Sequence, residues 1–412
     1  MKNYAVVTAS YWGFTITDGA LRMLVLLHFH ALGYQPLDLA FLFLLYEAMG
    51  IVTNFFGGWI GARFGLRSTL FAGLSIQIVA LLILAGLPEG LTLALSAAYV
   101  MAAQALSGVA KDLTKMSSKS AVKLVVPDTG QGLLFKWVAM LTGSKNALKG
   151  VGFFVGGYLL YRIGFSGAIV AMASALAVIL VASALYLKAG LGKAKSKIRG
   201  KDLFSKSREV NLLSAARIFL FASRDVWFVV GVPVFLAEVV GWNFDEIGSF
   251  MALWVIGYGI VQAFVPKLLR RTKSSASAAT AAKHWGLILA LSPALIAFGV
   301  SDYGSQIFVQ AFGVFDAATF LVRGLILFGV LFAINSALHS YLIVAYSDVD
   351  KVSLNVGFYY MANAVGRLAG TLLSGLVYQY YGLVVCLLVS SVMVALAVLF
   401  TMPLGGRSVR TE

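Results

Sequence analysis

Charged residues are scarce in this sequence, and so are the motifs on which soluble enzymes and metal sites depend. Charged side chains make up 12% of the 412 residues, about half of what a soluble domain carries. The single cysteine, Cys386, excludes an intramolecular disulfide and a cysteine cluster for a metal. No GxxxxGK[ST] phosphate loop and no catalytic or metal-binding arrangement occurs. We therefore expect a non-enzyme without cofactor or metal that does not hydrolyse ATP itself.

Apolar residues are what the sequence has in abundance. They make up 60% of the chain, with a mean hydropathy of +0.89, in runs of the roughly 20 residues that cross a bilayer. The first run has no cleavage site after it, so we take it as a retained span. Lipid offers no partner to an open backbone, so the spans must be helices and the fold all-α. We predict twelve spans, near residues 4–30, 37–60, 68–87, 91–111, 132–161, 166–187, 211–237, 246–266, 284–300, 319–343, 354–379 and 382–402.

Basic residues are concentrated on one side of these spans. The longest polar stretch, residues 188–210, holds eight Lys or Arg and two acids, whereas the opposite loops carry acids such as Asp38 and Asp302. The positive-inside rule then places both termini in the cytoplasm and explains the net charge of +15 without a nucleic acid partner. We interpret residues 188–210 as a solvated linker, with binding to anionic lipid of the bilayer as the alternative.

The two halves of the chain resemble each other. "KNALKGVGFFVGGYLLYRIG" (145–164) matches "ANAVGRLAGTLLSGLVYQYYG" (362–382), and Asp18 in span one falls at a depth similar to that of Asp225 in span seven. Such a match predicts a parallel repeat of two pseudo-symmetric six-helix bundles. The predicted domains are an N-terminal bundle at 1–187, a basic cytoplasmic linker at 188–210 and a C-terminal bundle at 211–412.

This organisation resembles the major facilitator superfamily over almost the whole chain. The superfamily's loop motif between spans two and three stands here as "GWIGARFGLR" (58–67), with Ala62 in place of an aspartate. That aspartate helps to hold the cytoplasmic gate in the superfamily, so we expect a different or weaker gate lock here. The matching gating-loop positions are Gly58, Arg63, Gly65 and Arg67.

Ionisable residues lie near the middle of five predicted spans, where exposure to lipid costs several kcal/mol. Spans three, six, nine and twelve, which face lipid in the superfamily, have none in their interiors. The fold would therefore collect the charges around a central cavity. The predicted lining is Asp18, Arg22, Glu47, Lys145, Lys149, Arg224, Asp225 and Arg367, with Lys111 and Lys115 at the inner mouth and Arg217 one third of the way in.

In the mid-membrane set, five bases face three acids, which is a surplus of two positive charges. A positive cavity is unfavourable unless an anion enters it. We therefore predict that the cargo is a small anion with at least two negative charges, because Arg binds oxyanions bidentately and Lys acts as a flexible point charge. Whether Lys111 and Lys115 contact the cargo or only the lipid surface stays open.

The roles of individual side chains have alternatives. Asp18 and Arg22 share a helix face, so Asp18 is read as neutralising Arg22 or as holding its geometry as an anion ligand, and the two readings are compatible. Arg224 and Asp225 diverge by about 100° on a helix, so we expect that they cannot pair in the same way and that Asp225 finds a partner on another helix. Candidates for proton coupling are Glu47, Asp18 and Asp225, with structural hydrogen bonds or ion pairs as the alternative. Asn146 and Asn363 occupy matching repeat positions and either bind cargo or tie helices together.

Four stretches are similar to one family within the superfamily. They are "NYAVVTASYWGFTITDGALRMLVLLHFHALGY" (3–34), "LAFLFLLYEAMGIVTNFFGGWIGARFGLR" (39–67), "AAQALSGVAKDLTKMSSKSAVKLVVP" (102–127) and "LFKWVAMLTGSKNALKGVGFF" (134–154). These stretches resemble the bacterial organoarsenical efflux permeases, which export 1-arseno-3-phosphoglycerate.

That resemblance implies an inner-membrane secondary transporter that works by alternating access and confers arsenate resistance. It also implies a functional link to a glyceraldehyde-3-phosphate dehydrogenase, which makes the arsenylated ester. An exchanger of organic phosphate against inorganic phosphate, or another anion transporter of the superfamily, is the alternative. A membrane receptor that binds an anion without moving it is a third reading, which the lack of a sizeable soluble domain disfavours.

Overall fold

The computed structural model describes residues 2–88, 90–122, 131–187, 207–269, 275–313, 316–346 and 352–404. Most of the predicted linker, at 188–206, lies outside the described residues. Within the described ranges the backbone forms twelve α-helices and no strand. The helices are α1 (Lys2–Ala31), α2 (Pro36–Leu42), α3 (Leu44–Ala85), α4 (Leu93–Val122), α5 (Gln131–Tyr186), α6 (Arg208–Phe228), α7 (Gly231–Glu238), α8 (Phe244–Leu268), α9 (Ser275–Val300), α10 (Asp302–Phe312), α11 (Ala317–Ala345) and α12 (Val352–Thr401).

Three of these helices turn a corner at a glycine and supply two predicted spans each. The corners are Gly65 in α3, Gly164 in α5 and Gly382 in α12, with φ of 78°, 70° and 72° and ψ of 171°, −177° and −174°. This backbone region is open essentially to glycine alone. No coil separates the two spans at these corners, so spans two and three, five and six, and eleven and twelve are joined directly.

The described helices supply the twelve predicted crossings. Nine apolar helical segments in the described ranges are long enough to cross a membrane. Two of them, Gly143–Tyr186 with 44 residues and Asn355–Thr401 with 47, are long enough to cross twice at 1.5 Å per residue. Helix α1, with 30 residues, is long enough for the remaining predicted crossing.

The chain packs as two compact units. The first unit comprises Met1–Tyr34, Phe41–Phe204 and Asn243–Ala263, and the second comprises Gln35–Ala40, Ser205–Trp242 and Phe264–Glu412. The predicted division into bundles at 1–187 and 211–412 stays a prediction, as does the central cavity, which concerns both units.

In the first unit α1 packs on α5 and α3 packs on α4, and glycines allow the backbones to approach closely. A Cβ at Gly152 would clash with the carbonyl oxygen of Ile16, and one at Gly19 would clash with that of Lys149. A Cβ at Gly108 of α4 would meet the carbonyl oxygen of Tyr46. Small residues thus hold functional side chains of neighbouring helices within reach of one another.

The second unit repeats this arrangement between α6 and α12. A Cβ at Gly366 would clash with the carbonyl oxygen of Ile218, and one at Gly370 would lie 2.8 Å from that of Ala222. Three features recur with one spacing of 218 residues: a basic residue (149 and 367), a close-contact glycine (152 and 370) and a corner glycine (164 and 382). The repeat read from the sequence therefore has a counterpart in local structure.

Large apolar side chains are exposed on spans predicted to face lipid. Val178 and Leu185 in the second arm of α5 are 70% and 77% exposed, and Leu291 and Leu295 of α9 are 64% and 65% exposed. A hydrocarbon surrounding accounts for such surfaces without a protein partner. The buried charges therefore belong to the other faces of the helices.

Candidate functional site

The first unit gathers charged side chains where α1, α3, α4 and α5 meet. Arg22 of α1 donates from its guanidinium to Oε1 of Glu47 on α3. The Lys111 ammonium of α4 lies 4.0 Å from the other oxygen of the same carboxylate. Glu47 is fully buried, so one desolvated carboxylate is shared by two cations. Glu47 therefore has the structural partner that its own helix does not provide.

Tyr46 lies at the centre of these charges. Its hydroxyl donates to Oδ1 of Asp18, and the Lys149 ammonium lies 3.8 Å from Oδ2 of that carboxylate. Its ring has the Lys111 ammonium 3.9 Å and the Arg22 guanidinium carbon 5.4 Å from the centroid, where the negative ring face attracts cations. Tyr46 thus contacts Arg22 and Lys111 with its ring and connects to Lys149 through Asp18. We call Asp18, Arg22, Tyr46, Glu47, Lys111 and Lys149 the first cation cluster.

The reading in which Asp18 neutralises Arg22 within one helix is wrong. In the described part of the chain Asp18 is bound by Tyr46 and Lys149, and Arg22 by Glu47. The close packing around Gly19 brings α5 against α1, so partners from other helices reach both side chains. Pairing is between helices, and the i, i+4 spacing is not used.

A smaller polar network joins α3 and α4 next to this cluster. The fully buried Asp112 accepts from Thr53 at 3.2 Å, from Asn54 at 3.0 Å and from Lys115 at 2.5 Å. Lys115 also donates to Oδ1 of Asn54 at 2.5 Å. The charge of Lys115 is therefore offset inside the first unit. The sequence analysis did not single out Asp112, although its i, i+3 spacing to Lys115 indicates a pair on one helix face.

The second unit holds its own group of charges on α6 and α12. Arg224 donates from Nε to Oδ1 of Asp225 at 2.6 Å, so these neighbours in sequence pair directly although they do not share a helix face. The long Arg side chain spans the angular separation that keeps shorter side chains apart. Arg367 Nε lies 3.4 Å from Oδ2 of Asp225, which confirms the expected partner on another helix. Asp225 is fully buried and, like Glu47, is shared by two cations.

Arg217 lies two turns before Arg224 on α6 and is 4% exposed. Its Nε donates to Oδ1 of Asn363 at 2.9 Å, and a terminal nitrogen donates to Oγ of Ser336 at 3.2 Å. The guanidinium carbons of Arg217 and Arg224 lie 3.9 and 5.0 Å from the centroid of the Phe221 ring. We call Arg217, Arg224, Asp225 and Arg367 the second cation cluster.

Each cluster contains one ion pair between helices, and the two ion pairs occupy corresponding positions in the repeat. Asp18 on the first helix of the first unit faces Lys149 on α5, and Asp225 on the first helix of the second unit faces Arg367 on α12. The side chains of Lys149 and Arg367 are 15% and 14% exposed. Both bases thus have a similar, small accessible fraction next to a buried carboxylate.

Two further predicted ligands lie on α5. Lys145 is half-buried four residues before Lys149, on the same helix face. Asn146 donates to Oε1 of Gln262 at 2.8 Å and ties α5 to α8 within the first unit. Asn363 instead accepts from Arg217, so the repeat-related asparagines have partners of different charge.

The predicted gating loop is only partly described. Gly65 forms the corner of α3, and Arg67 donates to the carbonyl oxygen of Ala184 at 3.4 Å and lies 5.1 Å from the Phe71 ring centroid. The surroundings of Gly58 and the side chain of Arg63 lie outside the described residues. The replacement of the superfamily aspartate by Ala62 therefore stays a sequence observation.

Formal charges do not balance in either cluster. The first holds Arg22, Lys111 and Lys149 against two carboxylates, and the second holds three arginines against Asp225. The excess is one positive charge in the first cluster and two in the second. Because of this excess, each cluster is suited to attract an anion. Among the described side chains, no group of three His, Cys, Asp or Glu is placed to hold a metal ion.

Comparison with known families identifies the chain. The model of the Major Facilitator Superfamily matches residues 5–315. The chain belongs to the major facilitator superfamily. Its predicted fold class, an all-α integral membrane protein with the major facilitator superfamily fold, is thereby confirmed. As a member of that superfamily it is a multi-pass membrane transporter of small solutes.

Solved structures of major facilitator transporters share the fold at low sequence identity. A POT family transporter in complex with 5-aminolevulinic acid is 14% identical with a TM-score of 0.69, and one in complex with a thioalcohol conjugated peptide is 13% identical with a TM-score of 0.68. In both cases 97% of this chain and 94% of the other is covered. The human organic anion transporter MFSD10 (TETRAN) is 16% identical with a TM-score of 0.68, covering 97% of this chain and all of that one. No curated protein sequence matches the chain significantly.

Proposed function

We propose that this transporter exports a small organic anion with two negatively charged groups, and that this cargo is an arsenylated phosphoglycerate. The observation that carries the proposal is the excess of cations over carboxylates in both clusters. Each cluster, taken by itself, carries more positive than negative side chains, which suits an anionic cargo. Oxyanions suit these side chains, because Arg binds them bidentately and Lys adapts as a point charge.

The shared carboxylates suggest how the cations are held in place before cargo binds. Glu47 holds Arg22 and Lys111, and Asp225 holds Arg224 and Arg367. An arriving oxyanion competes with a carboxylate that already divides its charge between two partners. A released carboxylate is then able to take up a proton, which makes Glu47, Asp18 and Asp225 the proposed coupling residues.

The arsenical identity of the cargo rests on the four stretches that resemble organoarsenical efflux permeases. The ester bears a phosphate at one end and an arsenate ester at the other, which agrees with the charge class of the clusters. A glyceraldehyde-3-phosphate dehydrogenase would supply it in the cytoplasm, and the transporter would act in the bacterial inner membrane by alternating access. Export before the ester breaks down would give arsenate resistance.

The deciding experiment expresses the chain in arsenate-sensitive bacteria with and without the dehydrogenase. We expect growth on arsenate only when both proteins are present, because the transporter needs the ester as cargo. A matched strain carries the transporter with a catalytically inactive dehydrogenase. Protection by the transporter alone, or none with both proteins, would contradict the proposal.

Everted membrane vesicles test direction and exchange. Export from the cell corresponds to uptake into these vesicles, so labelled ester should accumulate in them. Uptake of an ordinary phosphate ester that depends on inorganic phosphate loaded inside would instead identify an organic-phosphate exchanger. Vesicles without the protein provide the baseline.

A further inference from the structure

Arg217 differs from the other arginines of the two clusters in the kind of partner it has. Arg22 is bound by Glu47, and Arg224 and Arg367 share Asp225. The described partners of Arg217 are neutral: the amide oxygen of Asn363, the hydroxyl and carbonyl oxygens of Ser336, and aromatic rings. A cation buried to this extent without a carboxylate costs several kcal/mol. A buried cation at this position therefore has either a functional or a structural role that offsets this cost.

The repeat argues against a structural need for a cation at this position. Arg217 lies eight residues before Asp225, and the residue eight before Asp18 is Ser10. Ser10 forms a hydroxyl–hydroxyl bond of 2.7 Å with Ser183 in the first unit. The same level of the first helix is therefore satisfied there by a small neutral side chain. Of the two corresponding positions, 10 and 217, only the one in the second unit has a guanidinium.

A second polar side chain near Arg217 is buried without a partner. His339 is 1% exposed, and its Nδ1 has no hydrogen-bond partner among the described residues. It lies three residues after Ser336 on α11, on the same helix face, within electrostatic range of Arg217. An unmet ring nitrogen beside an unbalanced guanidinium provides two groups that an oxyanion satisfies together.

We propose that Arg217 and His339, with Asn363 positioning the guanidinium, form a binding subsite for one tetrahedral oxyanion group of the cargo, a phosphate or arsenate end. This inference rests on the proposed function. A guanidinium binds an oxyanion through two parallel N–H···O bonds between opposite charges, which neutral Ser336 does not offer, so the oxyanion displaces Ser336 from the terminal nitrogen that binds it. The other arginines must first release a carboxylate, whereas Arg217 has none to release. His339 donates from Nδ1 in the tautomer that carries its proton there.

Binding to the purified full-length chain in an uncharged detergent tests the subsite. The probe is 3-phosphoglycerate, added in increasing concentration while the Tm is recorded. We expect the Tm of the unsubstituted chain to rise, and Arg217→Gln to weaken the apparent affinity at least tenfold. Arg217→Lys should recover part of it, because the charge is kept and the planar fork is lost. His339→Gln should weaken binding less than Arg217→Gln.

The matched control is Arg323→Gln, which removes the same charge from an exposed position of α11 and should bind like the unsubstituted chain. Without probe, Arg217→Gln should have a Tm equal to or above that of the parent, because a Gln amide is able to bond the same neutral acceptors and the buried charge is removed. A lowered Tm with unchanged affinity in Arg217→Gln or Arg217→Lys would make Arg217 a structural residue and overturn the inference. If the unsubstituted chain itself shows no Tm rise with 3-phosphoglycerate, the proposed function fails and takes the subsite with it.

Discussion

Single carboxylates in this transporter each serve two cations. Glu47 is bound by Arg22 and approached by Lys111, and it is fully buried. Removing one partner of a buried ion pair costs about 3–5 kcal/mol, because an uncompensated charge is left behind. Here the second cation remains at 4.0 Å, so we expect a cost towards the lower end of that range.

Arg22→Gln should therefore lower the Tm of the purified protein, and the double substitution Arg22→Gln with Glu47→Gln should lower it by less than the sum of the two single substitutions. The double variant removes both charges together and leaves two amides that bond each other. Arg162→Gln, at an exposed position of α5, controls for loss of a positive charge as such. A Tm loss in the double variant equal to the sum of the losses in Arg22→Gln and Glu47→Gln alone would show that Arg22 and Glu47 are not coupled.

Glu47→Gln also tests the proposed coupling role directly. It should remove the sensitivity of transport to a collapsed proton gradient, because a Gln amide cannot exchange a proton. Transport is measured in everted vesicles with and without a protonophore. Unchanged sensitivity would exclude Glu47 and leave Asp18 and Asp225 as candidates.

At the residue scale the sequence predicted which charged side chains are buried better than it predicted their partners. Depth within a span follows from counting residues, so Asp18, Arg22 and Glu47 could be placed near the bilayer middle. Pairing depends on which helices touch, and Arg22 and Glu47 belong to helices whose contact no local pattern reveals. The role of Tyr46 was missed for the same reason, since a tyrosine in an apolar run resembles ordinary packing.

Helices of this chain depend on glycines in two different ways. Gly152 allows α5 to lie against α1, where a Cβ would clash with the Ile16 carbonyl oxygen. Gly257 of α8 has no atom within 4 Å of the position a Cβ would take. Sequence alone predicted close packing for residues 150–157, but it could not say which glycine is in contact with which helix.

Gly152→Ala should reduce the amount of folded protein in the membrane and lower its Tm, whereas Gly257→Ala should leave both unchanged or slightly improved. Overpacking costs about 1–3 kcal/mol, while Ala for Gly in an open helix position gains about 0.5–1 kcal/mol. Size-exclusion profiles and thermal melts of the two variants provide the comparison. A harmless Gly152→Ala would mean that α1 and α5 separate easily, and that the Asp18–Lys149 pair does not depend on this contact.

Corner glycines are required for their backbone conformation, since nothing lies within 4 Å of a Cβ at Gly164. Gly164→Ala should cost about 1–3 kcal/mol, because the alanine would have to adopt a conformation open essentially to glycine. Gly167→Ala, three residues later inside regular helix, is the matched control and should be neutral or stabilising. The Tm of each variant is measured in thermal melts. Equal Tm values for Gly164→Ala and Gly167→Ala would show that the corner accepts an alanine without strain.

The whole molecule repeats its key ion pair. Lys149 with Asp18 and Arg367 with Asp225 occupy corresponding places in the two units, with nearly equal exposure. Lys149→Gln and Arg367→Gln should therefore cause transport defects of similar size while the protein remains in the membrane. Transport and membrane abundance are measured together, with Arg323→Gln as the exposed control. A large defect in one variant and none in the other would show that the two pairs differ in function.

The composition of the whole chain was the most reliable guide to its class. Sparse charge and twelve apolar runs predicted the membrane fold, because bilayer thickness and backbone hydrogen bonding leave few alternatives. The charge surplus predicted from the span centres stays a prediction, and the structure shows four cations sharing two carboxylates. The cytoplasmic termini stay a prediction, since orientation depends on the surrounding membrane rather than on the fold.

Spans joined by a lone glycine have a consequence for biogenesis. In α5 and in α12 a single glycine joins the two arms. Without a longer connecting loop, one arm cannot insert into the bilayer independently of the other. Each pair is therefore expected to leave the translocon as a finished hairpin. An epitope or fluorophore inserted at residue 164 or 382 would split that hairpin during synthesis, so reporters for this transporter belong at the chain ends.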